Sequence, residues 1–117
     1  MSSITLINGQ QQSSVDSADR GLAYGDGLFE TVWVSQGQMP LWQYHQYRLE
    51  KGLKFLKIDL DIQTILDDIG VILELQQHTE KVAATTSHVM KIIVTRGIAS
   101  RGYQANRQSP TRILSLT

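Results

Sequence analysis

The sequence predicts an α+β domain in which a mostly antiparallel sheet carries two helices packed on one face. Three observations predict it. Four β-type runs, two helical stretches and two further β-type runs follow one another in the order β-β-β-β-α-α-β-β. Hydrophobic residues make up 41% of the chain and charged residues 19%, a balance that suits a folded core. The 117 residues suffice for one domain, and no internal repeat, low-complexity tract or linker divides them.

Each element has its own signal. "ITLING" alternates and then meets Asn8-Gly9, a strong hairpin turn, so a short strand should return near Gln10 to Gln12. "SSVDSADRGLAYGDG" is rich in glycine and polar residues and reads as a loop. Phe29 to Ser35 is β-branched and aromatic, a strand. "SQGQMP" reads as a turn, with Met39 to Trp42 as its return strand. In "QYHQYRLEKGLKFL", His45, Arg48, Leu49, Gly52, Leu53 and Leu56 recur at three- and four-residue spacing. In "DIQTILDDIGVILELQQ", Ile62, Ile65, Leu66, Ile69, Ile72 and Leu73 form a cleaner stripe, with Asp61 as N-cap. "KVAATTSH" reads as a loop or frayed helix end. "VMKIIVTRG" follows as a strand expected to be buried in part on both faces. "IASRGYQANRQSP" reads as a second loop and "TRILSLT" as the final strand.

Composition excludes several function classes. Eleven basic and eleven acidic residues cancel, so no global field draws the chain to nucleic acid or an anionic membrane. There is no cysteine, hence no disulfide framework and no sulfur ligand for zinc. "MSSITLINGQ" lacks the basic and apolar regions of a signal peptide. No apolar run approaches the ~18 residues that span a bilayer. A soluble, cytoplasmic protein is the expectation.

Three features stand out chemically. Gly21, Gly25 and Gly27 crowd the segment "DRGLAYGDGLFET", but a strand follows where a phosphate-cradling loop would need a helix. These glycines suit positive φ or close backbone approach, either in a plain tight loop or in one that lines a ligand or subunit contact with Tyr24 and Phe29 as walls. Arg48 lies on the stripe that carries Leu49, Gly52 and Leu53. A guanidinium there must find an anion or reach water, and Glu50 or Asp19 could serve as a local partner. It also suits a phosphate or carboxylate ligand, with His45 one turn earlier to pack beside it or hold it. Arg96, Arg101 and Arg107 gather with Tyr103 in the second loop, as a solvated basic loop or as a carboxylate-binding one. His45, His78 and His88 lack metal-ligand spacing, Asp67 and Asp68 point different ways on a helix, and the serines have no nucleophile context.

Taken in order, "ING…DRGLAYGDGLFET", "HQYRL" and "VTRGIASRGY…PTRILSLT" resemble the N-terminal domain of class-IV aminotransferase-type (fold type IV) pyridoxal phosphate enzymes. Within that family the chain is most similar to the aminodeoxychorismate lyases. The resemblance runs from Ile7 to Thr117, and its specificity lies in the combination. It implies a small N-terminal domain over residues 1–117, with the cofactor lysine in a second domain beyond Thr117. It implies that Arg48 binds the phosphate of pyridoxal 5'-phosphate. Tyr24 and Phe29 would shape the substrate pocket, and Arg101 and Tyr103 would recognise a substrate carboxylate, with Arg96 and Arg107 assisting.

The resemblance also implies a homodimer in which the glycine segment meets the partner subunit. The implied reaction converts 4-amino-4-deoxychorismate to 4-aminobenzoate and pyruvate, for folate synthesis. None of Lys51, Lys54, Lys57, Lys81 and Lys91 matches the cofactor lysine, so no catalytic residue is expected in this chain and it should be inactive alone. D-amino-acid and branched-chain aminotransferases share the fold and are the alternative activity. A non-catalytic binding or dimerisation module is the alternative of a different class.

Overall fold

Asn8 and Gly9 both take positive φ, 52° and 80°, as a two-residue primed hairpin turn requires. The turn sets β1 (Ile4–Ile7) against β2 (Gln10–Gln11), with Leu6 opposite Gln11 and Ile7 opposite Gln10. The computed structural model describes residues 3–79, 87–98 and 109–117. After the hairpin come a short helix α1 (Arg20–Tyr24), strand β3 (Gly27–Ser35), helices α2 (Trp42–Leu56) and α3 (Ile62–Thr79), and strands β4 (Ser87–Thr95) and β5 (Thr111–Leu116). The strands form one sheet in the order β2-β1-β5-β4-β3, antiparallel throughout. The expected α+β architecture is therefore present.

Strand alternation decides which side chains meet the helices. Ile4 and Leu6, Val32 and Val34, Met90, Ile92 and Val94, and Leu114 and Leu116 are buried. They join Leu49 and Leu53 of α2 and Ile65, Ile69 and Ile72 of α3 in one core. The opposite face is open over part of its area: Thr95 and Thr111 are buried at one end of it, and Ile93 and Ile113 are half-buried. Phe29, Trp33 and Val89 lie exposed there. β4 is buried in part on both faces, as expected: Met90, Ile92 and Val94 are covered on the helix side, and on the other side Ile93 is half-buried and Thr95 buried, while Val89 and Lys91 meet solvent.

The expected return strand at Met39 to Trp42 does not form. Ser35 and Gln38 exchange a pair of backbone hydrogen bonds at 2.9 Å, closing a tight turn at the end of β3. Pro40 has no N–H for a ladder, and the Leu41 carbonyl already accepts from Tyr44 and His45 as α2 begins. β3 is left as the edge of the sheet. At its far end α2 stops at Lys57, left-handed at φ 56°. Lys57 N–H donates to Lys54 and Ile58 N–H to Leu53, which is a Schellman ending. Asp61 caps α3 as expected, its carboxylate accepting from Gln63 N–H at 2.9 Å. Among the described residues no helix is long and apolar enough to cross a membrane.

Candidate functional site

The glycine segment is folded and anchored rather than loose. Asp19 is buried, and its carboxylate caps α1 through Gly21 N–H at 2.9 Å. It also accepts from the hydroxyls of Thr95 and Thr111, each at 2.6 Å. One carboxylate thereby ties the segment to β4 and β5. Gly25 ends α1 in the left-handed region at φ 64°. Gly27 serves close approach instead: a Cβ there would lie 2.5 Å from the Val94 carbonyl oxygen.

A second anchor is Asp26. Its Oδ2 accepts from Arg96 Nε at 2.8 Å and from Arg20 Nε at 3.0 Å. The Arg96 hydrogen bond above all, with that of Arg20, holds the Asp26 carboxyl below its usual range, although burial pulls the other way. Arg96 also donates to the Leu56 carbonyl at 2.7 Å and the Lys57 carbonyl at 3.2 Å, covering the exposed C-terminal end of α2. The guanidinium expected to assist with a substrate carboxylate is thus committed to Asp26 and to a helix terminus. Arg20 extends the chain of contacts, stacking over the Tyr24 ring at 4.5 Å.

Arg48 sits elsewhere on the surface than its stripe suggested. Leu49 and Leu53 are buried, but the Arg48 side chain is 62% exposed. Its partner is neither Glu50 nor Asp19. Arg48 Nη2 donates to Glu30 Oε1 at 2.7 Å and Nε to the same oxygen at 3.1 Å. His45 is buried, and its Nδ1 lies 2.6 Å from that oxygen as well. Glu50 instead accepts from Gln46 at 2.7 Å. Sequence reasoning missed Glu30 as a site residue. Its only local signal was an acid on the helix-facing side of an otherwise apolar strand.

Phe29 and Glu30 are neighbours on β3, so their side chains leave opposite faces of the sheet. Phe29, 60% exposed, faces the open side with Lys91 Nζ 5.0 Å from its ring centroid. Glu30, His45 and Arg48 stand on the helix side. Both groups flank the free edge of β3, so a ligand touching Phe29 and Arg48 together must reach around that edge. On the open side the glycine segment borders an apolar hollow of about 360 Å³, lined by Leu22, Phe29, Ile93 and Ile113 with Asp19 and Thr95 at its polar end. Tyr24 is 50% exposed. Arg101 and Tyr103, and Arg107 with them, lie outside the described residues. Among the described residues no cluster of histidine and acidic side chains could hold a metal ion.

Comparison with known proteins agrees with the fold. A family model for amino-transferase class IV matches residues 27–117. An aminodeoxychorismate lyase of Vibrio harveyi is 35% identical over 98 residues, covering 83% of this chain and 33% of its own length. A putative branched-chain-amino-acid aminotransferase of Methanocaldococcus jannaschii is 32% identical over 93 residues, 80% of this chain and 31% of its own. The crystal structure of 4-amino-4-deoxychorismate lyase from Pseudomonas aeruginosa superposes with a TM-score of 0.78 at 38% identity, over 95% of this chain and 38% of that one. The chain thus spans about a third of the length of the curated relatives it matches. With its small antiparallel domain, its anchored glycine segment and a family match over most of its length, the chain belongs to the amino-transferase class IV family.

Proposed function

We propose that this chain is the small N-terminal domain of a pyridoxal phosphate-dependent aminodeoxychorismate lyase, which converts 4-amino-4-deoxychorismate to 4-aminobenzoate and pyruvate in folate synthesis. The similarity at 35–38% identity to two proteins named for that activity carries the reading. The donor chemistry at Arg48 fits the cofactor: its exposed guanidinium retains N–H groups beyond those taken by Glu30, and a phosphate accepts from such a fork. When bound, pyridoxal phosphate supplies an electron sink that eases proton removal from the substrate.

The chain's own residues bind and orient. Arg48 holds the phosphate. Tyr24 and Phe29 wall the substrate, and Arg101 and Tyr103 take its carboxylates. The Asp26 and Asp19 anchors keep Tyr24 and Phe29 at fixed positions beside the β3 edge. None of the chain's lysines is assigned to the cofactor, so the domain is inactive by itself and acts within a longer, cytoplasmic, homodimeric enzyme.

Product analysis tests the reading. The protein carrying this domain is given 4-amino-4-deoxychorismate and pyridoxal phosphate without an added keto acid. Equal amounts of 4-aminobenzoate and pyruvate are expected. Turnover that needs a keto acid and an amino donor would favour the second reading, an aminotransferase of the same family, which the Methanocaldococcus relative supports. No turnover of either kind would favour a binding or dimerisation module.

A further inference from the structure

We propose that Glu30 is a positioning residue for anion capture: it holds the Arg48 guanidinium so that its outer fork faces a phosphate monoester, with His45 as the second donor to the same oxygen. This inference rests on the reading of Arg48 as the phosphate ligand.

The geometry carries it in four steps. First, Arg48 projects from α2 into solvent, and a free arginine of that kind samples many rotamers that binding must freeze. Second, Glu30 is a fixed point. Its side chain is 13% exposed, and its strand residue pairs with Ile92 across the β3–β4 ladder.

Third, both contacts from Arg48 fall on Glu30 Oε1. They use Nε–H and one Nη2–H, and of the three remaining N–H groups the second Nη2–H and the outer Nη1–H form a two-pronged face. Fourth, His45 Nδ1 lies 2.6 Å from that same oxygen and 3.4 Å from Arg48 Nη2. A carboxylate oxygen at that distance accepts from a hydrogen on Nδ1. The approach of Nδ1 to Nη2 is then between two donors, bridged by the oxygen they share.

Two effects of Glu30 oppose one another. Its order at Arg48 favours phosphate binding, whereas its negative charge near the guanidinium works against an anion. The proposal asserts that order prevails. The test measures equilibrium binding of pyridoxal 5'-phosphate and of pyridoxal, so that their ratio reports the phosphate contribution. Arg48→Ala tests the underlying reading and should abolish the preference. Glu30→Met keeps the length of the side chain and removes the acceptor, while Glu30→Gln keeps an oxygen acceptor. Loss of order should lower the preference about tenfold in Glu30→Met, with Glu30→Gln within roughly threefold of the parent.

A preference in Glu30→Met equal to or above the parent's overturns the proposal. A preference that survives Arg48→Ala overturns the reading beneath it, so the two failures are distinguishable. A measurement on the unaltered chain needs no variant to fold. The Arg48 Nε–H signal in NMR should stand apart from those of exposed arginines and exchange slowly before any phosphate is added. A signal merged with those of solvent-averaged arginines overturns the proposal.

Discussion

Replacing Asp26 by asparagine should loosen the glycine segment while leaving the apolar core intact. Asp26 Oδ2 receives Nε–H from Arg96 and from Arg20, and all three side chains are largely shielded from water. Hydrogen bonds to charged groups contribute about 1.5–3 kcal/mol each. Asparagine keeps an oxygen acceptor and loses the charge, so both bonds weaken without vanishing. We expect a loss of about 2 kcal/mol, below the ~3–5 kcal/mol of a buried pair broken outright.

With roughly 2.1 cal/mol/K of unfolding entropy per residue, 2 kcal/mol lowers Tm by about 8 °C in a domain of this size. The pH dependence has a definite sign. Asp26 is held below its usual range in the folded chain, chiefly by the Arg96 hydrogen bond. The gap between parent and Asp26→Asn should therefore be full above the unfolded value near ~3.9 and vanish as pH falls through the lower folded value. Urea unfolding followed by circular dichroism at several pH values measures it. A gap under about 0.5 kcal/mol at pH 7, the spread of ordinary surface changes, would refute the reasoning. So would a gap that widens in acid.

Two further substitutions probe other contacts. Gly27→Ala would bring a methyl group 2.5 Å from the Val94 carbonyl oxygen, so the β3–β4 ladder must shift. Urea denaturation should show a loss of about 1–3 kcal/mol, and an unchanged midpoint would show that the strand end moves freely. Arg112 pairs with the buried Asp68, Nε to Oδ2 at 2.6 Å. Arg112→Met should cost about 3 kcal/mol by stranding that carboxylate, and the double variant with Asp68→Leu should recover at least part of it. A double variant no more stable than the single one would show that the loss comes from packing.

The strands at Phe29 to Ser35 and from Val89 onward were legible in their β-branched and aromatic content, and both long helices in apolar residues that recur at three- and four-residue spacing. Met39 to Trp42 misled because its apolar residues suggested a strand, whereas Pro40 and the start of α2 decide the backbone there. α1 is a single turn, too short for any periodicity, and its cap at Asp19 is secured by Thr95 and Thr111 from distant strands. The candidate site was legible only in part. The "HQYRL" spacing drew attention to Arg48 and His45. The carboxylate that joins them lies 15 and 18 residues away on another element, where only the packing of α2 over β3 brings it. Arg96 looked like one of several loop cations, because nothing in its neighbourhood in sequence announces Asp26 or the end of α2.

The strand order carries a consequence for how the domain is made. β5 comes last in the sequence yet lies in the middle of the sheet, bonded to β1 on one side and β4 on the other. Ile4 pairs with Leu116 and Met90 with the same residue. Without β5 the order of the described strands leaves only two pairings, the β1–β2 hairpin and the β3–β4 ladder, with no strand to join them. During synthesis the sheet cannot close until Leu116 has left the ribosome, so assembly is a late, long-range event. Until that keystone is laid, α2 and α3 are, among the described residues, the only other elements with apolar faces to set against those strands.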